Sequence, residues 1–257
     1  MLVTAELAAI VEEAYAVFAA YPLREPLAVC RCPLCIDRDT ARLLIATHLR
    51  EMPEHLLNAY TQAAHPWSAH ASREMRYFLP RYLEWIAYPE RQKGYLDDWC
   101  LRRLGKGDWR SAWPAAERDL VDRFFDALLG ATLAQPRGDS WNIHWWETYT
   151  VETILKLIVG AGGDLERILD VWNRAPDPHA CLQMALLRPR VYFDGSRHFW
   201  SVLPSWESVA ADRIGAFLAR PEVTERIELT LFSDEEPRFE RILTDGLQPF
   251  WPAPPRE

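Results

Sequence analysis

The chain has 257 residues, 49% hydrophobic and 26% charged, which bounds it to one large domain or two small ones sharing an interface. Its net charge of −8 repels phosphate backbones, so nucleic acid is excluded as the expected primary ligand, whereas a basic protein partner is suited. No stretch approaches about eighteen uninterrupted apolar residues, so no membrane-spanning helix is expected.

The first segment, MLVTAELAAIVEEAYAVF, lacks the positive start of a signal peptide and carries Glu6, Glu12 and Glu13. The expected compartment is therefore the cytoplasm, where thiols stay reduced. Leu7, Val11, Ala14 and Phe18 recur every three or four residues and predict an amphipathic helix. A loop follows from Tyr21. Asp37 or Asp39 then caps a helix through TARLLIATHL.

Proline punctuates what comes next. Pro53, Pro80, Pro114, Pro204 and Pro221 each read as a helix start, with an acid following within four residues: Glu54, Glu84, Glu117, Glu207 and Glu222. Proline suits the first turn because no donor is needed there, and acids complement the positive end of the helix dipole. These glutamates therefore read as helix-start residues, although Glu84, slightly further in, can face either way.

A helix is predicted from about Trp145 to Val159, stopping at the glycines of GAGG; Asp164 then caps LERILDVWNRA. Pro178 opens HACLQMALL, and WESVAADRIGAFLAR, EVTERIELTLF and PRFERILTDG follow. In RVYFDGSRHFW, aromatic and β-branched residues flank Asp194-Gly195, a hairpin-type dipeptide. The expected fold is all-α, with antiparallel helix pairs packed around an aromatic-rich core and room for one small β-hairpin near 190–200. The chain reads as a single domain over 1–257, with a soft boundary near 134–140.

Chemistry concentrates at VCRCPLCIDRD, where Cys30, Cys32 and Cys35 stand within six positions of a chain with five cysteines. Short cysteine spacings let one loop supply several zinc ligands, and Arg31 favours the thiolate. A closed site needs a fourth ligand. His48, His55, His65 and His70 follow within the next thirty-five residues; His48, His65 and His70 are the candidates carried forward, with Cys100, Asp37 or a water as alternatives. Plain packing of reduced thiols and a Cys32–Cys35 redox pair stay open beside zinc. An odd cysteine number argues against a disulfide framework.

The cysteine cluster after FAAYP, then LLNAYTQAA, then FLPRYLEW, with Phe78-Leu79-Pro80-Arg81 and Leu83-Glu84 most distinctive, resembles an uncharacterised bacterial protein family over about the first half of the chain. The resemblance implies a bacterial source and carries no catalytic assignment.

Three further stretches carry motif-like features. TILKLIVGAGGDLERIL imitates a dinucleotide loop, but Leu165 stands where the third glycine belongs, so a helix end followed by a helix start is preferred. Trp141, His144, Trp145 and Trp146, like Trp109 and Trp113, read as helix-junction packing before interface. The basic stretch RQKGYLDDWCLRRLGKGDWR allows an anion pocket, but its interspersed aspartates favour a solvated helix face.

The functional expectation is a cytoplasmic binding protein with a small structural zinc site, in its concrete form an immunity-type inhibitor masking a basic toxin. The rivals are a metal-dependent hydrolase with an open zinc position, lined by His65, His70, Glu84 or His144, and a thiol sensor using Cys32 and Cys35.

Overall fold

Thr4 starts the first helix: its hydroxyl accepts from the Leu7 N–H at 3.1 Å, satisfying one of the orphan donors of the first turn. The computed structural model describes residues 4–30, 32, 35–65, 68–88, 100–134, 150–176, 178–193 and 207–232, together with 240, 244 and 247. Among these there are twelve α-helices and no strand, so the all-α expectation holds.

The described residues fall into two compact units. The first, residues 4–131 with 150–164, contains α1 (Ala5–Phe18), α2 (Arg38–Ala46), a 3-10 turn (Leu49–Glu51), α3 (Glu54–Gln62), α4 (Ala69–Ala87), α5 (Arg102–Lys106), α6 (Trp109–Ala112), most of α7 (Ala115–Leu133) and α8 (Val151–Gly160). The second contains α9 (Leu165–Arg174), α10 (Pro178–Phe193), α11 (Glu207–Leu218) and α12 (Pro221–Phe232).

In the first unit α1 lies on α4. The predicted stripe Leu7, Val11, Ala14 and Phe18 is buried, as are Phe78, Leu79, Tyr82 and Leu83 of α4. Asp37, not Asp39, caps α2, accepting from the Asp39 and Thr40 N–H groups at 2.9 and 2.8 Å. Pro53 precedes α3 as its cap, and Pro114 precedes α7.

Pro80 is a correction. It lies inside α4, which Ser68 starts twelve residues earlier by accepting from the Ala71 N–H at 3.2 Å. A mid-helix proline forfeits one backbone hydrogen bond and costs about 3 kcal/mol. Full burial of Phe78, Leu79, Leu83 and Ile86, at roughly 1.5–3 kcal/mol each, outweighs that cost. Glu84 consequently sits in the last turn of α4 and not at a helix start.

The glycines of GAGG end α8, as the spacing predicts. The Gly163 N–H returns to the Ile158 carbonyl at 2.8 Å, and Gly162 takes the left-handed region at φ 70°. A helix and not a strand precedes them, so the dinucleotide reading has no support. Gly105 of α5 packs onto this turn so closely that a Cβ would stand 2.4 Å from the Gly160 carbonyl oxygen. Trp109 completes the junction by donating its indole N–H to the Ala161 carbonyl at 2.7 Å.

In the second unit Trp172 of α9 is fully buried, donating to the Ala180 carbonyl at 3.1 Å and facing the Phe217 ring at 5.6 Å. Arg226 of α12 closes the C-terminal end of α9 by donating to the Asn173 and Ala175 carbonyls. The helix α10 continues to Phe193, which corrects the first arm of the expected hairpin: Arg190–Phe193 extends a helix already begun at Pro178. Local β preference yields there to the continuing helix. Residues 194–200, and the Trp141–Trp146 cluster with His144, lie outside the described residues.

Candidate metal centre

The C-terminal end of α3 builds the site from behind. After Gln62 the chain turns through Ala63, Ala64 and His65. The Ala64 carbonyl accepts from the Cys30 N–H at 2.7 Å, and the Ala64 N–H favours the Cys35 thiolate. The end of α3 thus clamps the start of the cysteine loop. Within the loop the Cys35 N–H returns to the Cys32 carbonyl at 3.0 Å, closing a tight turn.

This turn gathers the three sulfurs. The Sγ atoms of Cys30, Cys32 and Cys35 all lie within 4.8 Å of one another, and Cys32 and Cys35 are 3.4 Å apart. None of the five cysteines is in a disulfide. Tetrahedral coordination at a Zn–S distance of about 2.3 Å would set the sulfurs about 3.8 Å apart, so only small side-chain rotations separate this arrangement from a ligand shell. The three thiols are half-buried, whereas Cys100 and Cys181, at 7% and 4% exposure, are core residues. The contrast separates the cluster from ordinary cysteine packing.

Electrostatics point the same way. The Ala64 N–H lowers the Cys35 thiol, but the neighbouring Cys32 and Cys30 outweigh it, and the net shift is upward. Three thiolates in one loop repel one another, and a divalent cation reverses that balance. A reactive thiol would instead need a lowered value.

The histidines are placed elsewhere. Among the described residues no histidine nitrogen or carboxylate joins the three sulfurs. His48 is exposed beside the 3-10 turn. The His70 Nε2 is 2.8 Å from the Pro26 carbonyl and 3.3 Å from Glu74. His65, directly after the clamp, holds its Nε2 at 2.9 Å from the Tyr60 carbonyl. Burial and the Arg103 charge push His65 down to about 4, opposed in part by the Tyr60 and Ala28 carbonyls, while its Nδ1 is buried and makes no hydrogen bond. Arg31 lies outside the described residues.

The motif Phe78-Leu79-Pro80-Arg81 with Leu83-Glu84 is structural. Arg81 donates to the Met52 carbonyl through Nε and Nη2 at 3.1 and 2.9 Å and pairs with Glu84 at 2.6 Å. Glu84 accepts the Tyr15 hydroxyl at 2.5 Å, tying α4 to α1. Glu117 is likewise a buried tie and not merely a helix-start acid: it accepts the Tyr21 hydroxyl and pairs with Arg76 at 3.0 Å.

Sequence reading missed Arg103. It read the basic stretch as a solvated face, yet Arg102 is buried and Arg103 half-buried. Arg103 Nη2 donates to the Tyr60, Thr61 and Ala63 carbonyls, capping α3 beneath the cysteine clamp. The available signal was Gly105, two residues later, which packs closely against the Gly160 carbonyl. No family model, curated protein or solved structure matches the chain.

Proposed function

We propose that Cys30, Cys32 and Cys35 bind a zinc ion, and that the protein is a helical binding protein whose N-terminal loop the metal holds in shape. The observation that carries this reading is the convergence of three thiol sulfurs within 4.8 Å on a loop clamped by Ala64. Thiolate sulfur suits zinc, Cu(I) and iron–sulfur clusters, and short cysteine spacings on one loop are the usual ligand pattern of structural zinc. The ion would fix the shape of the loop before α2, which the Ala64 carbonyl holds against the end of α3, and the net charge of −8 suits a basic protein partner, of which a toxin is the concrete case.

Metal analysis of chain purified without chelator tests the site. One zinc per chain in the parent and none in a Cys32→Ser, Cys35→Ser variant is the expected result. No metal in either protein defeats the reading. A second reading, a dithiol switch, draws on the 3.4 Å Cys32–Cys35 separation. It predicts rapid native-state alkylation, which the raised Cys35 thiol opposes.

A further inference from the structure

A carboxylate stands behind the root of the cysteine loop. Glu74 of α4 is 2% exposed, and its two oxygens serve two different elements. Oε1 accepts the Ala28 N–H at 2.6 Å, two residues before Cys30. Oε2 accepts the Tyr60 hydroxyl of α3 at 3.0 Å. Tyr60 is itself fully buried, with its ring 4.1 Å from that of Phe78, so its hydroxyl is a fixed point. His70, one turn before Glu74, reaches the same loop. Its Nε2 lies 2.8 Å from the Pro26 carbonyl and 3.3 Å from Glu74 Oε1. Both neighbours are acceptors, so this nitrogen carries the hydrogen.

The loop root is therefore held at every second residue: Pro26 by His70, Ala28 by Glu74 and Cys30 by the Ala64 carbonyl. The carboxylate is costly where it stands. Burial pushes the Glu74 carboxyl up, and the Ala28 N–H, the Tyr60 hydroxyl, His70 and the Arg103 charge from α5 offset that only in part. An apolar side chain would fill the same space without the cost of a buried charge. It would leave the buried Ala28 N–H without an acceptor. What the carboxylate supplies and an apolar residue cannot is a hold on the loop backbone.

We infer that Glu74 is the positioning residue of the metal centre, setting the Cys30 end of the loop before an ion arrives, with His70 as its buttress. This role presupposes the zinc reading of Cys30, Cys32 and Cys35, whereas the hold on the loop belongs to the protein alone. Ordering of the loop root is then completed in folding, and the ion has only the Cys32–Cys35 turn left to close. His70 serves the metal without ligating it.

Amide hydrogen exchange by NMR on the metal-free full chain, with zinc affinity by chelator competition, tests this role. In the metal-free parent the Ala28 and Cys30 amides should exchange at least about a hundredfold more slowly than in an unfolded chain. Glu74→Leu should speed Ala28 exchange at least about tenfold and weaken zinc binding at least about tenfold, as loss of support behind a metal ligand does. Glu74→Gln keeps an acceptor for the Ala28 N–H and should return both values to within about threefold of the parent. Glu84→Gln acts on the tie between α1 and α4 instead of the loop. It should lower the melting temperature with zinc affinity unchanged, which separates positioning from general stability. If Glu74→Leu does not fold, Glu74→Asp replaces it: the carboxylate is drawn back by one methylene from the Ala28 N–H, and the same two losses are expected. Unprotected Ala28 and Cys30 amides in the metal-free parent overturn the role. So does parent-like zinc affinity in folded Glu74→Leu or Glu74→Asp, or an equal loss in Glu74→Gln. A parent that binds no zinc defeats the zinc reading and with it the metal role, while the exchange rates still decide the hold on the loop.

Discussion

The Ala64 carbonyl holds the Cys30 N–H at 2.7 Å, and the Ala64 N–H favours the Cys35 thiolate, so a single residue after α3 acts on both ends of the cysteine loop. Backbone N–H groups aimed at a sulfur stabilise the thiolate and orient it, which is the support that metal ligands ordinarily receive from their surroundings. The consequences can be measured.

Zinc affinity should fall as pH falls. All three thiols must lose their protons to coordinate, and Cys35 starts from a raised value. Competition titrations with a chromogenic chelator at about pH 6, 7 and 8 should show affinity rising at each step. Stripping the metal should lower the melting temperature in the parent and leave the Cys32→Ser, Cys35→Ser variant unmoved. A pH-independent affinity would show that the thiols are not the ligands.

His65 should make the protein acid-sensitive. Its folded value of about 4 lies below the ordinary 6.5, because burial and the Arg103 charge disfavour the cation. A group with a depressed histidine value contributes full stability above the unfolded value and loses it as pH falls toward the folded one. Stability should therefore decline between about pH 6.5 and 4, and His65→Gln should flatten that part of the curve. Urea denaturation across this range reads the slope.

Two glycines should respond in opposite directions. Gly105→Ala drives a Cβ to 2.4 Å from the Gly160 carbonyl oxygen, a backbone atom that cannot swing away. The expected loss is about 3 kcal/mol or more. Gly130 in α7 has nothing within 4 Å of its added Cβ, so Gly130→Ala should gain about 0.5–1 kcal/mol from helix propensity. Thermal unfolding compares the pair.

The Tyr15–Glu84–Arg81 tie should be worth more at its centre than at its end. Tyr15→Phe removes one hydrogen bond, at about 1 kcal/mol. Glu84→Gln also leaves the half-buried Arg81 guanidinium without its carboxylate, and should cost about 2–3 kcal/mol. Equal losses in the two variants would mean that the Arg81 pair contributes nothing.

Much of the fold was legible in the sequence because it rests on local chemistry. The apolar stripe of α1, the Asp37 cap, the start of α3 after Pro53 and the break at GAGG each depend on residues within one or two turns of each other. Pro80 and Arg103 misled for one reason: local rules priced them as a helix start and a solvated charge. Buried neighbours distant in sequence reversed both assignments.

The sequence by itself determined an all-α fold class and one loop carrying three cysteines within six positions. Only the tertiary structure decided where that loop sits, because the Cys30 N–H is held by the Ala64 carbonyl at the far end of α3. It also set His48, His65 and His70 outside that group and turned Arg103 toward the carbonyls of α3. Ligand identity is a property of residues, but ligand geometry is a property of packing, and packing is settled by contacts that no local pattern encodes.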